Sequence, residues 1–198
     1  MASKSVTIAA GEDVRLENTV RSTTGGIAIT SIDGSLQHGG AGLFVHALVG
    51  AVTLDSDCGQ VTVQRVCADQ GTVDISGETG VTVLTSIDAE GGVNVTAGIG
   101  NVQLNGQVAS RTGSITATST SGDVGLSANV HATAGDVRIV AHNGVMQENA
   151  SGLQGIDLVF AGESDFFYPP FVGVQIAAPL GGGTAATAYA VLESFVNA

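Results

Sequence analysis

The 198-residue chain carries a formal net charge of −12 with only 6 Lys+Arg. So few cations leave no face able to neutralise a run of phosphates, which argues against nucleic acid as a partner, and no apolar run approaches the ~20 residues of a membrane-spanning helix. Apolar residues make up 43% of the chain, charged residues 12%, and Gly numbers 29; this composition excludes a polar disordered coil and favours stacked strands over exposed helices.

At the amino terminus, residues 1–6 show neither the cationic nor the apolar segment of a secretory signal. The first strand signature follows at once, Val6/Ile8, and a second comes at Val14/Leu16. Apolar residues at i and i+2 share one face of a strand, because successive side chains alternate. The same signature then recurs along the chain, with Gly five residues after it: Ile27/Ile29 with Gly34, Val52/Leu54 with Gly59, Val73/Ile75 with Gly80, Val93/Val95 with Gly100, Ile115/Ala117 with Gly122 and Val137/Ile139 with Gly144. Val61/Val63, Val81/Val83, Val102/Leu104 and Val124/Leu126 alternate with it, and Ile156/Leu158 closes the series.

The strictest copies run from Asn101 to Gly122 and from Asp123 to Gly144, where Val102 matches Val124, Leu104 matches Leu126 and Val108 matches Val130, each 22 residues apart. Strands of four or five residues are not stable singly or as hairpins. They are predicted to stack as a parallel β-helix of about seven rungs, each strand about 4.8 Å from its equivalent, with Gly at the corners supplying φ > 0. An antiparallel sandwich is the competing all-β reading, but it gives no reason for a constant interval.

Between Ser35 and Gly50 the interval stretches to 25 residues, and Leu36-Gln37-His38-Gly39-Gly40-Ala41-Gly42-Leu43-Phe44-Val45-His46 reads as an extended turn protruding from one rung. Loops on rigid scaffolds are frequent binding sites, so His38, Phe44 and His46 form a candidate contact point for a surface glycan or protein receptor. Cys58 and Cys67 follow, bridged or free, too few for a disulfide framework or a zinc site. Around them lie Asp55, Asp57, Asp69, Asp74, Glu78, Asp88 and Glu90. The register stacks Asp57 on Glu78 and brings Asp69 near Glu90; like charges about 5 Å apart call for a proton or a cation, and a calcium ion between Asp57 and Glu78 is the one cofactor the pattern suggests. No Ser/His/Asp grouping and no GxSxG elbow is present.

Residues 1–158 thus read as the solenoid and 159–198 as a second, non-repetitive unit. Phe166, Phe167, Tyr168, Phe171, Tyr189 and Phe195 lie there with all three prolines, and proline cannot donate to a ladder. This aromatic arm is expected either to cap its own last rung or to dock on a neighbour, against a bare first rung presented by Val6 and Ile8.

The stretch NVQLNGQVASRTGSITATSTSGDVGLSANVHATAGDVRIVAHNGV, and the phrases SGDVGLSANV, AGDVRIVAHNGV and LQGIDLVF, resemble the repeats of filamentous haemagglutinin-like adhesins and related large bacterial surface proteins. The resemblance runs from Val6 to Leu158. It implies a right-handed parallel β-helix, export to the cell surface, and a role in adhesion or fibre formation; with the bare first rung, the aromatic arm and the missing catalytic groupings, the expected protein is a non-catalytic, extracellular or surface module that self-associates end to end. Two other readings remain: a bactofilin-like internal filament, favoured by the missing signal, and a β-helix enzyme acting on polysaccharides, which would need long loops building a cleft.

Overall fold

A strand of three to five residues gains stability only by pairing along both edges and burying one face, and the alternating sequence provides for both. In the computed structural model the described residues are 4–148 and three further strand segments, 153–154, 158–165 and 174–176; side chains are described for 4–143. The described residues are all-β, without helix.

Turn one holds β1 (Val6–Ala10), β2 (Val14–Leu16) and β3 (Val20–Ser22), and turn two β4 (Ile27–Ser31), β5 (Leu36–His38) and β6 (Phe44–Ala47). Turns three and four fuse their second and third sides into single strands: β7 (Val52–Ser56) with β8 (Gln60–Ala68), and β9 (Val73–Gly77) with β10 (Gly80–Ala89). Turn five holds β11 (Val93–Ala97), β12 (Asn101–Leu104) and β13 (Gln107–Ser110), and turn six β14 (Ile115–Ser119), β15 (Val124–Leu126) and β16 (Val130–Ala132). Parallel pairing continues past these six turns into β17 (Val137–Glu148), β18 (Leu153–Gln154), β19 (Leu158–Asp165) and β20 (Val174–Ile176). The ladder therefore extends beyond Leu158, where the repeat was expected to stop. The aromatic residues assigned to the arm lie outside the described residues.

The result is a β-solenoid with three faces. Face one stacks Val6, Ile27, Val52, Val73, Val93, Ile115 and Val137. Face two stacks Val14, Leu36, Val61, Val81, Val102 and Val124, so Val102 and Val124 are neighbours on adjacent turns, as the 22-residue match requires. Face three stacks Val20, Val45, Val66, Ile87, Val108 and Val130. From Ile27 onward each of these described side chains is at most 2% exposed, and each contributes about 1.5–3 kcal/mol by burial.

The corners work differently from the expectation. Positive φ occurs only at Gly42, Gly50 and Gly80 among the described residues. Most corner glycines are required by crowding instead: a Cβ on Gly59 would overlap the carbonyl of Gly34 on the turn before, and one on Gly135 would overlap that of Gly113. Buried serines complete the corners. Ser119 Oγ donates to the Gly100 carbonyl of the previous turn at 2.8 Å and accepts the Gly122 N–H at 2.8 Å. Ser56 does the same with Gly34 and Gly59, and Ser110 with Gly91 and Gly113. One hydroxyl thus satisfies two backbone groups that the bend removes from the ladder.

Val124→Asp, which buries an unpaired carboxylate in the face-two column, is expected to cost roughly 3 kcal/mol or more, whereas Arg138→Ser on the exposed side of face one should leave the thermal melt nearly unchanged; equal shifts would refute the register. Ser119→Ala is expected to cost about 1–3 kcal/mol by orphaning both backbone partners, while the exposed Ser121→Ala should stay within about 0.5 kcal/mol, both read from thermal or urea unfolding.

Candidate functional site

The most consequential surface is the starting end of the coil. β1 pairs with β4 on one side, and among the described residues nothing pairs with its other edge. Val6 N–H donates to Gly26 and the Ala10 carbonyl accepts from Ile32, so Val6, Ile8 and Ala10 face β4. Backbone groups alternate along a parallel strand, which turns the N–H and C=O of Thr7 and Ala9 toward the open edge. The core is open there too: Val6, Ile8, Ala10 and Val20 are only partly buried, while Ile29 and Val45 one turn on are 0% exposed. The Ser22 hydroxyl holds the Lys4 carbonyl at 3.0 Å, tying the entering chain to the first turn. Val6 and Ile8 thus lie partly buried on the first described strand, while the aromatic residues matched to them in the sequence reading, Phe166, Phe167, Tyr168, Phe171, Tyr189 and Phe195, lie outside the described residues.

The acidic columns arrange themselves less simply than the register suggests. Glu78 does follow Asp57 by one turn, with the Asp57 N–H on Ser31 and the Glu78 N–H on Ser56. Its carboxylate, however, lies over the Cα of Gly98 on the next turn. The carboxyl of Asp57 is raised above the usual carboxylate range chiefly by the charge of Asp55, with lesser contributions from desolvation, a side-chain hydrogen bond to Asp55, and Asp33. The charges that act on Asp57 are thus those of Asp55 and, more weakly, Asp33. Asp55 also accepts the Ser76 hydroxyl. Among the described residues no three His, Cys, Asp or Glu side chains converge as a metal cage.

Face three carries cations against its acids. Asp69 and Glu90 are successive members of one corner column, their N–H groups bonded to Ala47 and Ala68, and Arg111 follows on Ala89. Each carboxylate has a partner from a neighbouring turn: His46 Nε2 lies 2.9 Å from Asp69, out of line for a hydrogen bond, and Arg111 lies 3.3 Å from Glu90. Arg65 stands 3.9 Å from Asp88. Asp69, Asp88, Glu90 and Arg111 rim a shallow recess floored by Ala68, Ala89 and Ala109. Such exposed pairs contribute little each to stability; their effect is to settle like charges that the stacking forces together.

The segment from Ser35 to Gly50 is not one protruding loop. It forms β5 and β6 in register with their neighbours, and the departure is confined to residues 39–43. His38 is an inward, buried residue of face two, 9% exposed, in the position held by Leu16 on the turn before. His46 faces outward to Asp69, and Phe44 packs beside it with ring centroids 6.2 Å apart. The three residues proposed as one contact point are therefore divided between interior and surface. The two cysteines are unbridged, Cys58 exposed at a corner and Cys67 buried on face three; burial pushes the Cys67 thiol up, with Arg65 opposing.

Sequence reasoning overlooked the third face and the corner serines. Both leave a signal in the chain: Val or Ile followed two residues later by Ala or Ser, as in Val66-Cys67-Ala68 and Ile87-Asp88-Ala89, and Ser followed three residues later by Gly, as in Ser56/Gly59, Ser110/Gly113 and Ser119/Gly122.

No protein-family model, curated protein or solved structure matches the chain.

Because the carboxyl of Asp57 is raised in the fold, ionising it destabilises the folded state relative to the unfolded chain, and that penalty vanishes when pH falls below the ordinary carboxylate value. Asp55→Asn keeps an acceptor for Ser76 and removes the main repulsion. The variant is expected to be more stable than wild type at pH 7 and to lose that advantage near pH 3, as measured by urea unfolding at the two pH values.

Proposed function

We propose that the chain is a non-catalytic structural subunit that associates end to end with further copies of itself, building a fibre or surface layer outside the cell in the manner of the adhesins its repeats resemble. The observation that carries this reading is the open first turn. A strand edge whose backbone groups have no partner among the described residues, backed by half-exposed Val6, Ile8 and Val20, is a template for another strand. A contact between opposite ends of one rod does not close on itself, so it propagates as a filament. The acidic surface fits the same role, since a net charge of −12 discourages lateral clumping and leaves the ends as the preferred contact.

A second reading, an internal filament of the bactofilin type, is supported by the cysteines. An exposed, unbridged thiol at Cys58 suits a reducing compartment better than an oxidising one.

Negative-stain microscopy and light scattering across protein concentration test the assembly. Wild type is expected to form filaments of rod width, and Ala9→Pro, which removes an N–H only from the open edge, is expected to shift the protein to monomers with an unchanged circular dichroism spectrum. Ala9→Lys serves as a milder block should proline disturb the strand. Wild type that stays monomeric at all concentrations would overturn the proposal. Thiol labelling of Cys58 in intact and in lysed cells separates the surface from the interior reading.

A further inference from the structure

The second turn carries one titratable side chain inside the apolar core. At the corner between faces two and three, a regular bond joins successive turns: the residue after the inward apolar one donates its N–H to the carbonyl of the equivalent inward residue below. Gly39 donates to Leu16 at 2.8 Å, Asn105 to Val83 at 2.9 Å and Ser127 to Leu104 at 2.9 Å. On turn three this donor is Gln64, and the equivalent residue below it is His38. The Gln64 N–H goes instead to the side chain, His38 Nδ1, at 2.8 Å.

The reason is local. Pairing between turns two and three stops at Gln37 with Thr62 and resumes at Phe44 with Arg65. Gln64 alone stands opposite residues 39–43, so the backbone of turn two leaves the sheet and the imidazole substitutes as acceptor. An Nδ1 that accepts must be unprotonated, which puts the only proton of a neutral ring on Nε2. That Nε2 is buried with no hydrogen-bond partner.

The charged groups on the surrounding elements are engaged elsewhere. From β2, Arg15 Nε is bonded to Glu17, whose carboxylate lies over Gly39. From β8, Arg65 is directed to Asp88, and from β6, His46 to Asp69. No counter-charge therefore rewards a proton on His38 while it stays in the column, and burial lowers its affinity for one below the ordinary value of 6.5.

We propose that neutral His38 is a latch closing the corner between turns two and three, and that its protonation releases residues 39–43 while the remaining turns stay paired. A second proton on the ring would face the Gln64 N–H, donor against donor, and would place a cation between Leu16 and Val63. Swinging the ring out relieves both and brings it toward the carboxylate of Glu17. The sign follows from the lowered affinity: the closed corner is fully stable above the ordinary histidine value and loses stability as pH falls below it.

Amide hydrogen exchange, expressed as protection relative to the unstructured chain, tests the latch. Between pH 7.5 and 5, protection of Gln64 is expected to fall about tenfold or more, while that of Asn105 and Ser127, which occupy the same corner on later turns, stays level. His38→Asn, whose carbonyl oxygen occupies the place of Nδ1 without titrating, should keep Gln64 protection flat across the range. Gln64 protection in wild type that follows Asn105 at every pH overturns the proposal, as does an equal fall in the His38→Asn variant.

Discussion

Most strands of the described residues have three to five residues and are too short to persist without partners on the neighbouring turns, and that constraint governs the rest. Pairing on both edges forces a coil, the coil places chemically equivalent residues about 4.8 Å apart, and every side chain must then tolerate its own kind above and below. Valine, isoleucine and leucine do so readily on the inside. The small corner residues do so because nothing larger fits between successive backbones: where Gly34 and Gly59, or Gly113 and Gly135, stack, there is no space for even a methyl group. Outside, the same constraint is adverse, since it lines up charges. The pair of Glu90 with Arg111 is the answer where a cation is at hand, and the raised carboxyl of Asp57 marks the place where Asp55 and Asp33 leave one lacking.

The parts of this that could be read from the chain are those carried by repetition at a distance. Val102 and Val124 declare themselves neighbours because several other pairs share their spacing, and a two-residue alternation fixes which way they point. The third face escaped because its strands bury one large residue and one alanine or serine, as Val45 and Ala47 do, a pattern too weak to stand out by hydrophobicity. The serines at the corners were invisible to a search for apolar spacing, although their work is done by a single hydroxyl. His38 was misread for a related reason. The glycines that follow it signal a loop, but strand alternation from Leu36 places it inward, and alternation determined the outcome.

The candidate site was legible to a lesser extent. Val6 and Ile8 could be placed on the first turn because the apolar alternation starts with them. For Asp57 and Glu78 the register gave the right order of turns, yet side-chain direction is set by local crowding that spacing does not encode, and Glu78 turns toward Gly98. The proposed assembly rests on shape more than on chemistry, because its argument is the backbone edge of β1 and not any residue acting on a substrate.

The interval between equivalent residues varies, from 20 between Val73 and Val93 to 25 between Ile27 and Val52, while the three inward stacks keep their alignment. The longest turn takes up its extra length where faces two and three meet: one residue separates Val63 from Arg65, and five separate His38 from Phe44. That junction behaves as a splice point at which foreign sequence can be accommodated without disturbing the register on either side. A peptide grafted between Gly40 and Ala41 would be displayed on one flank of the coil, held at both ends by β5 and β6, whose register it does not touch.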